Sequence, residues 1–235
     1  MAEKTKLNIA WQEIERVPGL VSGDDALMIY DSLPEQARNG IRHDKASASK
    51  SVIGSNNLAV ACLDSVAKQY GARTTNLRDL SRPEVMAIAE GKHYIDARTL
   101  VARSPTDSYG RNNSLLKTIY ELAEQELGKV DGSFMVENFN LIPDEEDKTG
   151  YGLKLVKAED FAIVQDERLD GKYDERSFSE VDELGLPKFD SNGSRNWFAK
   201  DKGLSGLCLD RDLELYSDNE DLADSNDSGR VVFLK

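Results

Sequence analysis

The residues of this chain with the clearest capacity for acid–base chemistry are carboxylates near its C-terminus. Asp210 and Asp212 are two residues apart, a spacing that places both side chains on one face of a β-strand. Such a pair could supply a general acid and a general base. A sequence with 43 Asp and Glu residues also contains such pairs by chance. The spacing therefore leaves a carboxylate-based hydrolase open without favouring it.

Other catalytic and metal-binding patterns are missing from the sequence. It has no glycine-rich phosphate loop, no GxSxG nucleophile motif and no HExxH zinc motif. His43 and His93, the only histidines, have no neighbouring pattern that marks a catalytic base. The acidic turn at residues 144–147 lacks the oxygen-ligand spacing of an EF-hand. We therefore expect no enzymatic activity, no metal and no cofactor.

Composition and charge exclude several classes of partner. The net charge is −13, which repels nucleic-acid phosphates and anionic membranes. No apolar run is long enough to span a bilayer, and the first residues lack the apolar core of a secretory signal. The two cysteines do not indicate a disulfide framework, and Cys62, in an apolar helical pattern, is predicted to be a buried thiol. We expect a soluble protein with no nucleic-acid partner and no membrane insertion.

Residues 1–91 are predicted to form a mainly helical N-terminal region. Residues 6–17 have the spacing of a short amphipathic helix or of a strand that leads into a helix, and residues 56–70 place apolar side chains on one helical face. Ser81 and Glu84 have the spacing of a capping box at the start of a further helix.

After Gly91 the hydrophobic period changes from that of a helix to that of strands. Trp197 and Phe198 are predicted to anchor a loop-dominated stretch, residues 166–195, in the core; stacking against a ligand is the alternative. The fold class is therefore predicted to be α+β. The predicted elements are strands over 93–103, 133–143, 151–157 and 161–165, and a helix over 114–127.

The last part of the chain combines repeated leucines with polar residues of only a few types. Leu207 and Leu209, and then Leu213 and Leu215, alternate with polar residues as half-buried strands do. The polar residues of 208–228 are mainly Asp, Ser, Asn, Tyr and Cys, the amino acids reached from an asparagine codon by changes at its adenines. A closing apolar strand is predicted over 231–234.

This pattern resembles the variable proteins of diversity-generating retroelements, whose C-terminal variable region lies on a C-type lectin fold. The resemblance covers residues 203–235. It extends back to residue 91, because GKHYIDARTLVAR is similar to the first strand of such domains and GRVVFL to the last. The Trp-Ser-Ser motif common in the family is absent, and only Asn196, Trp197 and Phe198 stand near that place. Formylglycine-generating enzymes share the lectin-like fold, but a lone Cys208 does not reproduce their cysteine and copper chemistry.

The resemblance implies a C-type lectin-like domain over residues 92–235, with a small antiparallel sheet, long irregular loops and a variable region over about 203–232. It implies a non-enzymatic ligand-binding protein that recognises a receptor or other target, with a macromolecular ligand that we expect to be a protein. The gene would be carried by a virus, plasmid or other mobile locus, and the protein could be associated with a particle. The predicted ligand-binding, variable residues are Cys208, Asp210, Asp212, Tyr216, Ser217, Asp218, Asn219, Asp221, Asp224, Ser225, Asn226, Asp227 and Ser228.

Two alternatives remain open from the sequence. The protein could be a structural or assembly component of a virus or mobile element, with residues 203–235 forming an acidic C-terminal hairpin. Such a protein would form defined multimers and keep its C-terminal strand invariant. The Asp, Ser and Asn residues could also belong to an ordinary solvated surface loop, which would leave the function open.

Overall fold

The structure is a computed structural model that describes residues 31, 33–38, 41–43, 52–68, 71–171 and 175–234. It combines a large mixed β-sheet with helices, which confirms the predicted α+β class. The helix or strand predicted at residues 6–17 lies outside the described residues. The helices are α1 (Asn57–Lys68), α2 (Pro83–Ala89) and α3 (Asn113–Leu127), with 3₁₀ helices at Glu35–Ala37, Leu77–Ser81, Gly110–Asn112 and Glu167–Leu169. The strands are β1 (Arg42–His43), β2 (Val52–Ile53), β3 (Arg73–Thr74), β4 (Ile95–Ala102), β5 (Phe134–Pro143), β6 (Leu153–Gln165), β7 (Arg176–Val181), β8 (Pro187–Phe189), β9 (Arg195–Ala199), β10 (Leu204–Leu209), β11 (Leu215–Ser217) and β12 (Phe233–Leu234).

Eight strands form the main sheet in the order β6-β5-β4-β10-β11-β9-β7-β8. All neighbours are antiparallel except β11 and β9, which are parallel. The sheet is thus larger than the small antiparallel one expected, and it is mixed. The two strands predicted over 151–157 and 161–165 are one strand, β6, because β5 pairs with both halves on either side of a bulge.

Helix α1 packs on the sheet through its apolar residues, as its spacing predicts. The Oδ1 atom of Asn56 accepts a hydrogen bond from the amide of Ala59 at 2.7 Å and so caps the first turn. Cys62 is buried in this helix, as predicted. Burial raises the pKa of its thiol to about 12, so the group stays protonated and inert.

The capping box predicted for Ser81 and Glu84 is wrong. Ser81 lies inside the 3₁₀ helix Leu77–Ser81, so Arg82 is the residue that precedes α2. At the start of this 3₁₀ helix the Asp79 carboxylate accepts the amide of Asn76 at 3.0 Å, which is one of the two bonds of a capping box.

The sheet separates two hydrophobic cores. On one side Leu58 of α1 packs with Leu100 of β4, and α3 covers the same core. On the other side Leu77 packs with Trp197 of β9 and with strands β10 and β11. Both cores contain residues from before and after Gly91. Within the described ranges, no helix is long and apolar enough to cross a membrane.

The chain ends on an added two-stranded sheet. Phe233 pairs with Thr74 and Leu234 with Arg73, so the strand predicted over 231–234 is confirmed for its last two residues. Gly229 forms a parallel bridge to Tyr94 beside the start of β4. Residues 218–232 therefore run back across the sheet towards the N-terminal end of α1.

Candidate functional site

Strands β9, β10 and β11 bury one face and leave the other open. Leu207, Leu209, Leu215 and Trp197 are completely buried on the first face. Because successive residues of a strand point to opposite sides, the residues between them lie on the second face. We call this second face the open face. Its members are Asn196, Phe198, Cys208, Asp210, Glu214, Tyr216 and Asp218.

An aromatic pair forms the centre of the open face. Tyr216 lies between Cys208 and Phe198 in the strand register. The rings of Phe198 and Tyr216 stack with their centroids 4.5 Å apart and their planes at 15°. Both residues are half-buried. The prediction that Trp197 anchors the core is confirmed, but Phe198 does not join it, because strand alternation places the two rings on opposite faces.

A polar row lies beside the aromatic pair. The carboxylate of Glu214 accepts hydrogen bonds from the Tyr216 hydroxyl at 3.1 Å and from the Asn196 side-chain amide at 2.9 Å. The Ser177 hydroxyl in turn donates to the Oδ1 atom of Asn196 at 3.1 Å. These bonds hold the carboxylate and the rings in a fixed relative position.

Asp210 and Asp212 do not form a carboxylate pair on a strand, so that prediction is wrong. Strand β10 ends at Leu209, and residues 210–213 form a turn in which Leu213 has φ of 65°. The Oδ1 atom of Asp210 accepts the amides of Asp212 at 2.8 Å and Glu214 at 3.1 Å. Asp210 therefore organises the turn, while Asp212 is exposed.

Ser217, a predicted ligand-binding residue, is completely buried and cannot contact a ligand at the surface. Its Oγ atom accepts a hydrogen bond from the guanidinium of Arg103 at 2.9 Å. Its carbonyl accepts one from the hydroxyl of Ser205 at 2.9 Å. Ser217 lies on the same strand face as Leu215, and its polar group is needed because Arg103 is buried beside it.

Several other predicted ligand-binding residues form bonds within the loop 218–228 or between this loop and the rest of the chain. The carbonyl of Asn219 accepts the amide of Gly206 at 3.1 Å, and its side chain accepts the amide of Asp221. Asp221 accepts the amide of Ala223 at 3.1 Å. The Ser225 hydroxyl accepts the amide of Ser55 at 3.0 Å.

The end of this loop is fastened in the same way. The amide of Asn226 donates to the Tyr94 hydroxyl at 3.0 Å, and its Oδ1 atom accepts the amide of Ser228 at 2.9 Å. The carbonyl of Ser228 lies 3.2 Å from Nδ1 of His93. Burial, together with the charge of Arg230, lowers the pKa of His93, so this imidazole supports the loop in its neutral form.

The predicted set of thirteen therefore divides into three groups. Cys208, Asp212, Tyr216, Asp218 and Asp224 are half-buried or exposed, and within the described residues their side chains bond neither the backbone nor a buried group of another segment. We call these five the free positions. Asp210, Ser217, Asn219, Asp221, Ser225 and Asn226, which bond the backbone or a buried group, we call the anchor positions. Asp227 and Ser228 belong to the turn before Gly229.

A buried carboxyl group lies at the edge of the open face. Asp96 of β4 is opposite Cys208 in the register and is 5 % exposed. Burial raises its pKa to about 7, and the charge of Asp224 adds to the effect. The Ser55 hydroxyl faces this carboxyl group and lowers its pKa. Neither Oγ of Ser55 nor Oδ2 of Asp96 completes a hydrogen bond to the described residues.

The raised pKa of Asp96 predicts a pH dependence of stability. Since the native carboxyl binds its proton more tightly than the unfolded one, its contribution is full below about pH 4 and is lost as the pH rises towards 7. The variant Asp96→Asn is neutral at every pH and should lose less thermal stability than the wild type between pH 5 and pH 8. Melting curves at the two pH values measure the difference. Asp131→Asn, at a side chain 83 % exposed, is the control and should behave as the wild type; an unchanged pH response of Asp96→Asn would contradict the account.

Other groups considered in the sequence lie away from the open face. In the acidic turn at residues 144–147, Asp147 accepts the amides of Gly150 at 2.8 Å and Gly152 at 3.0 Å, so it shapes the hairpin between β5 and β6. Among the residues that the structure describes, no group of three or more His, Cys, Asp or Glu side chains is placed to hold a metal ion. The side chain of His43 lies outside the described residues.

Two members of this region, Glu214 and Asp96, were missed from the sequence, and a third, Phe198, was predicted to lie in the core. The position of Phe198 could have been predicted, since a strand that buries Trp197 places the next side chain on the opposite face. Glu214 and Asp96 had no such signal, because their positions depend on strand pairings. No family model, no curated protein and no solved structure matches this chain.

Proposed function

We propose that this chain is a non-enzymatic recognition protein that binds a macromolecular ligand, a protein, through its open face. The observation that carries the proposal is the division of β9, β10 and β11 into a buried leucine and tryptophan face and a half-buried face centred on a stacked aromatic pair. Tyrosine together with short polar side chains is the composition that recognition surfaces favour. A fixed frame under such a surface limits the entropy lost on binding.

We further propose that the free positions are diversified by a retroelement, on a domain of C-type lectin type. All five have amino acids reachable from an asparagine codon by adenine changes, and none of them supports the buried face. Exposed substitutions usually change stability by about 0.5 kcal/mol or less. Positions of this kind can vary while the frame of Leu207, Leu209 and Leu215 stays constant.

The enzyme alternative receives less support from the geometry. A hydrolase needs its carboxylates around a pocket that can enclose a substrate. Glu214 and Asp218 lie on an open sheet face, and Asp210 is committed to its turn. The Asp96 carboxyl has a raised pKa, but it is buried beneath the loop that carries Asp224.

Sequencing the DNA around the gene tests the proposal. We expect a second, imperfect copy of the segment that encodes residues 203–232, beside a reverse transcriptase gene. The two copies should differ only where the template has adenine, with the differences concentrated at the codons of the free positions. The absence of such a copy, or differences spread equally over the leucine codons, would refute diversification.

A further inference from the structure

The aromatic pair of the open face is surrounded by negative charge. Burial raises the pKa of the Tyr216 hydroxyl first, and then its bond to Glu214 and the charges of Asp210 and Asp218 raise it further. Burial likewise raises the pKa values of Asp210 and Asp218. The Glu214 carboxylate bonds the Tyr216 hydroxyl directly at 3.1 Å, and Asp210 and Asp218 lie on the same strand face.

Within the described part of the chain, no Lys or Arg forms an ion pair with these carboxylates. Lys200 acts on Asp218, but its Nζ atom is held by Asp107 at 3.4 Å and Glu220 at 3.2 Å. Arg103 acts weakly on Asp218 from the buried face, where its guanidinium bonds Ser205 and Ser217. The charge on the open face is thus left without a partner of its own.

A further carboxyl group, Asp96, lies at the end of the row that Cys208, Tyr216 and Phe198 form and is 5 % exposed. It faces the Ser55 hydroxyl, and its charge acts on Cys208, which lies between it and Tyr216.

A planar cation satisfies these features together. A guanidinium stacks on aromatic rings, donates paired hydrogen bonds to carboxylates and is less strongly hydrated than an ammonium group. Both oxygens of Glu214 accept one bond each from neutral donors and retain capacity for another.

We propose that the open face binds an arginine side chain of a protein partner, with its guanidinium on the Phe198–Tyr216 pair and hydrogen-bonded to Glu214. The carboxylates of Asp210 and Asp218 supply the surrounding negative potential. This inference rests on the proposed recognition function and names the chemistry of the partner.

The test is a titration of the full chain with Nα-acetyl-arginine amide, followed by backbone amide shifts in two-dimensional NMR spectra. The expected shifts centre on Phe198, Cys208 and Tyr216. Nα-acetyl-citrulline amide has the same shape without the charge and should give no shifts there. The variant Glu214→Gln keeps an acceptor but removes the charge, and it should weaken binding by about three- to tenfold.

The matched control is Glu121→Gln on α3, which removes the same charge from a side chain that is 58 % exposed. It should bind the arginine compound as the wild type does. Equal shifts with citrulline, equal weakening in Glu121→Gln, or shifts scattered over the acidic surface would overturn the arginine proposal. The spectra also show directly whether each variant is folded. A diversified gene locus together with a failed titration would leave the recognition function standing and reject only this ligand.

Discussion

Replacing Trp197 by alanine is expected to lower the free energy of unfolding by about 3–5 kcal/mol, because it empties a large volume in a packed core. Trp197 is completely buried against Leu77 and the leucines of β10 and β11. Phe198→Ala, one residue later, should cost only about 1 kcal/mol, the loss of a half-exposed stacking contact with Tyr216. Urea unfolding of the two variants measures both values.

This pair of variants tests the two-sided character of the strands. The two residues are adjacent and both aromatic, so their substitution changes composition in a similar way. If both variants lose the same free energy of unfolding, the ring of Phe198 belongs to the core and is not accessible on the open face. A loss of unfolding free energy at least about three times larger for Trp197→Ala than for Phe198→Ala agrees with the structure.

The sequence predicted those elements whose signal is local. The alternation in residues 93–103 and the helical spacing in residues 114–127 correspond to β4 and α3 within one or two residues at each end. Helix α1 was equally clear from its apolar face. These segments have long, regular patterns, and burial of one face decides their conformation.

The turns were harder to predict from the sequence, because the same polar residues can belong to a turn or to the polar face of a strand. Asp and Asn side chains accept backbone amides two residues ahead, which favours turns over strands. This behaviour explains why Leu213, predicted to lie on a strand, instead adopts a positive φ within the turn that Asp210 organises. The same chemistry in Asn219, Asp221 and Asn226 produced part of the polar pattern that suggested a variable surface.

Contacts between distant segments could not be predicted from the sequence. Arg98 and Asp64 form a buried ion pair that joins β4 to α1, and Asn138, with φ of 55°, completes it at 2.7 Å from the guanidinium. Charged residues are usually exposed, so nothing in the local sequence marks these as interior. The burial of Ser217 has the same origin, since it depends on Arg103, more than a hundred residues earlier.

The second large loss of stability is expected when anchor positions are substituted. The triple variant Ser217→Ala, Asp221→Ala, Ser225→Ala removes the acceptors for the Arg103 guanidinium and for the amides of Ala223 and Ser55. Each buried donor left without a partner costs about 1–3 kcal/mol, so we expect a total loss of more than about 3 kcal/mol. Neighbouring sites couple, which makes the total more informative than its parts.

The same measurement on a matched triple variant tests the central claim, that free positions and anchor positions are interleaved in one segment of the chain. Asp212→Ala, Asp218→Ala, Asp224→Ala changes the same number of residues in the same segment, and its stability should stay within about 1 kcal/mol of the wild type. Urea unfolding of the two triple variants side by side is the decisive comparison. A stable free-position variant beside a strongly destabilised anchor variant is the result we predict. Equal destabilisation of both would show that these polar residues are all structural, and the segment would then have no positions free to vary for recognition.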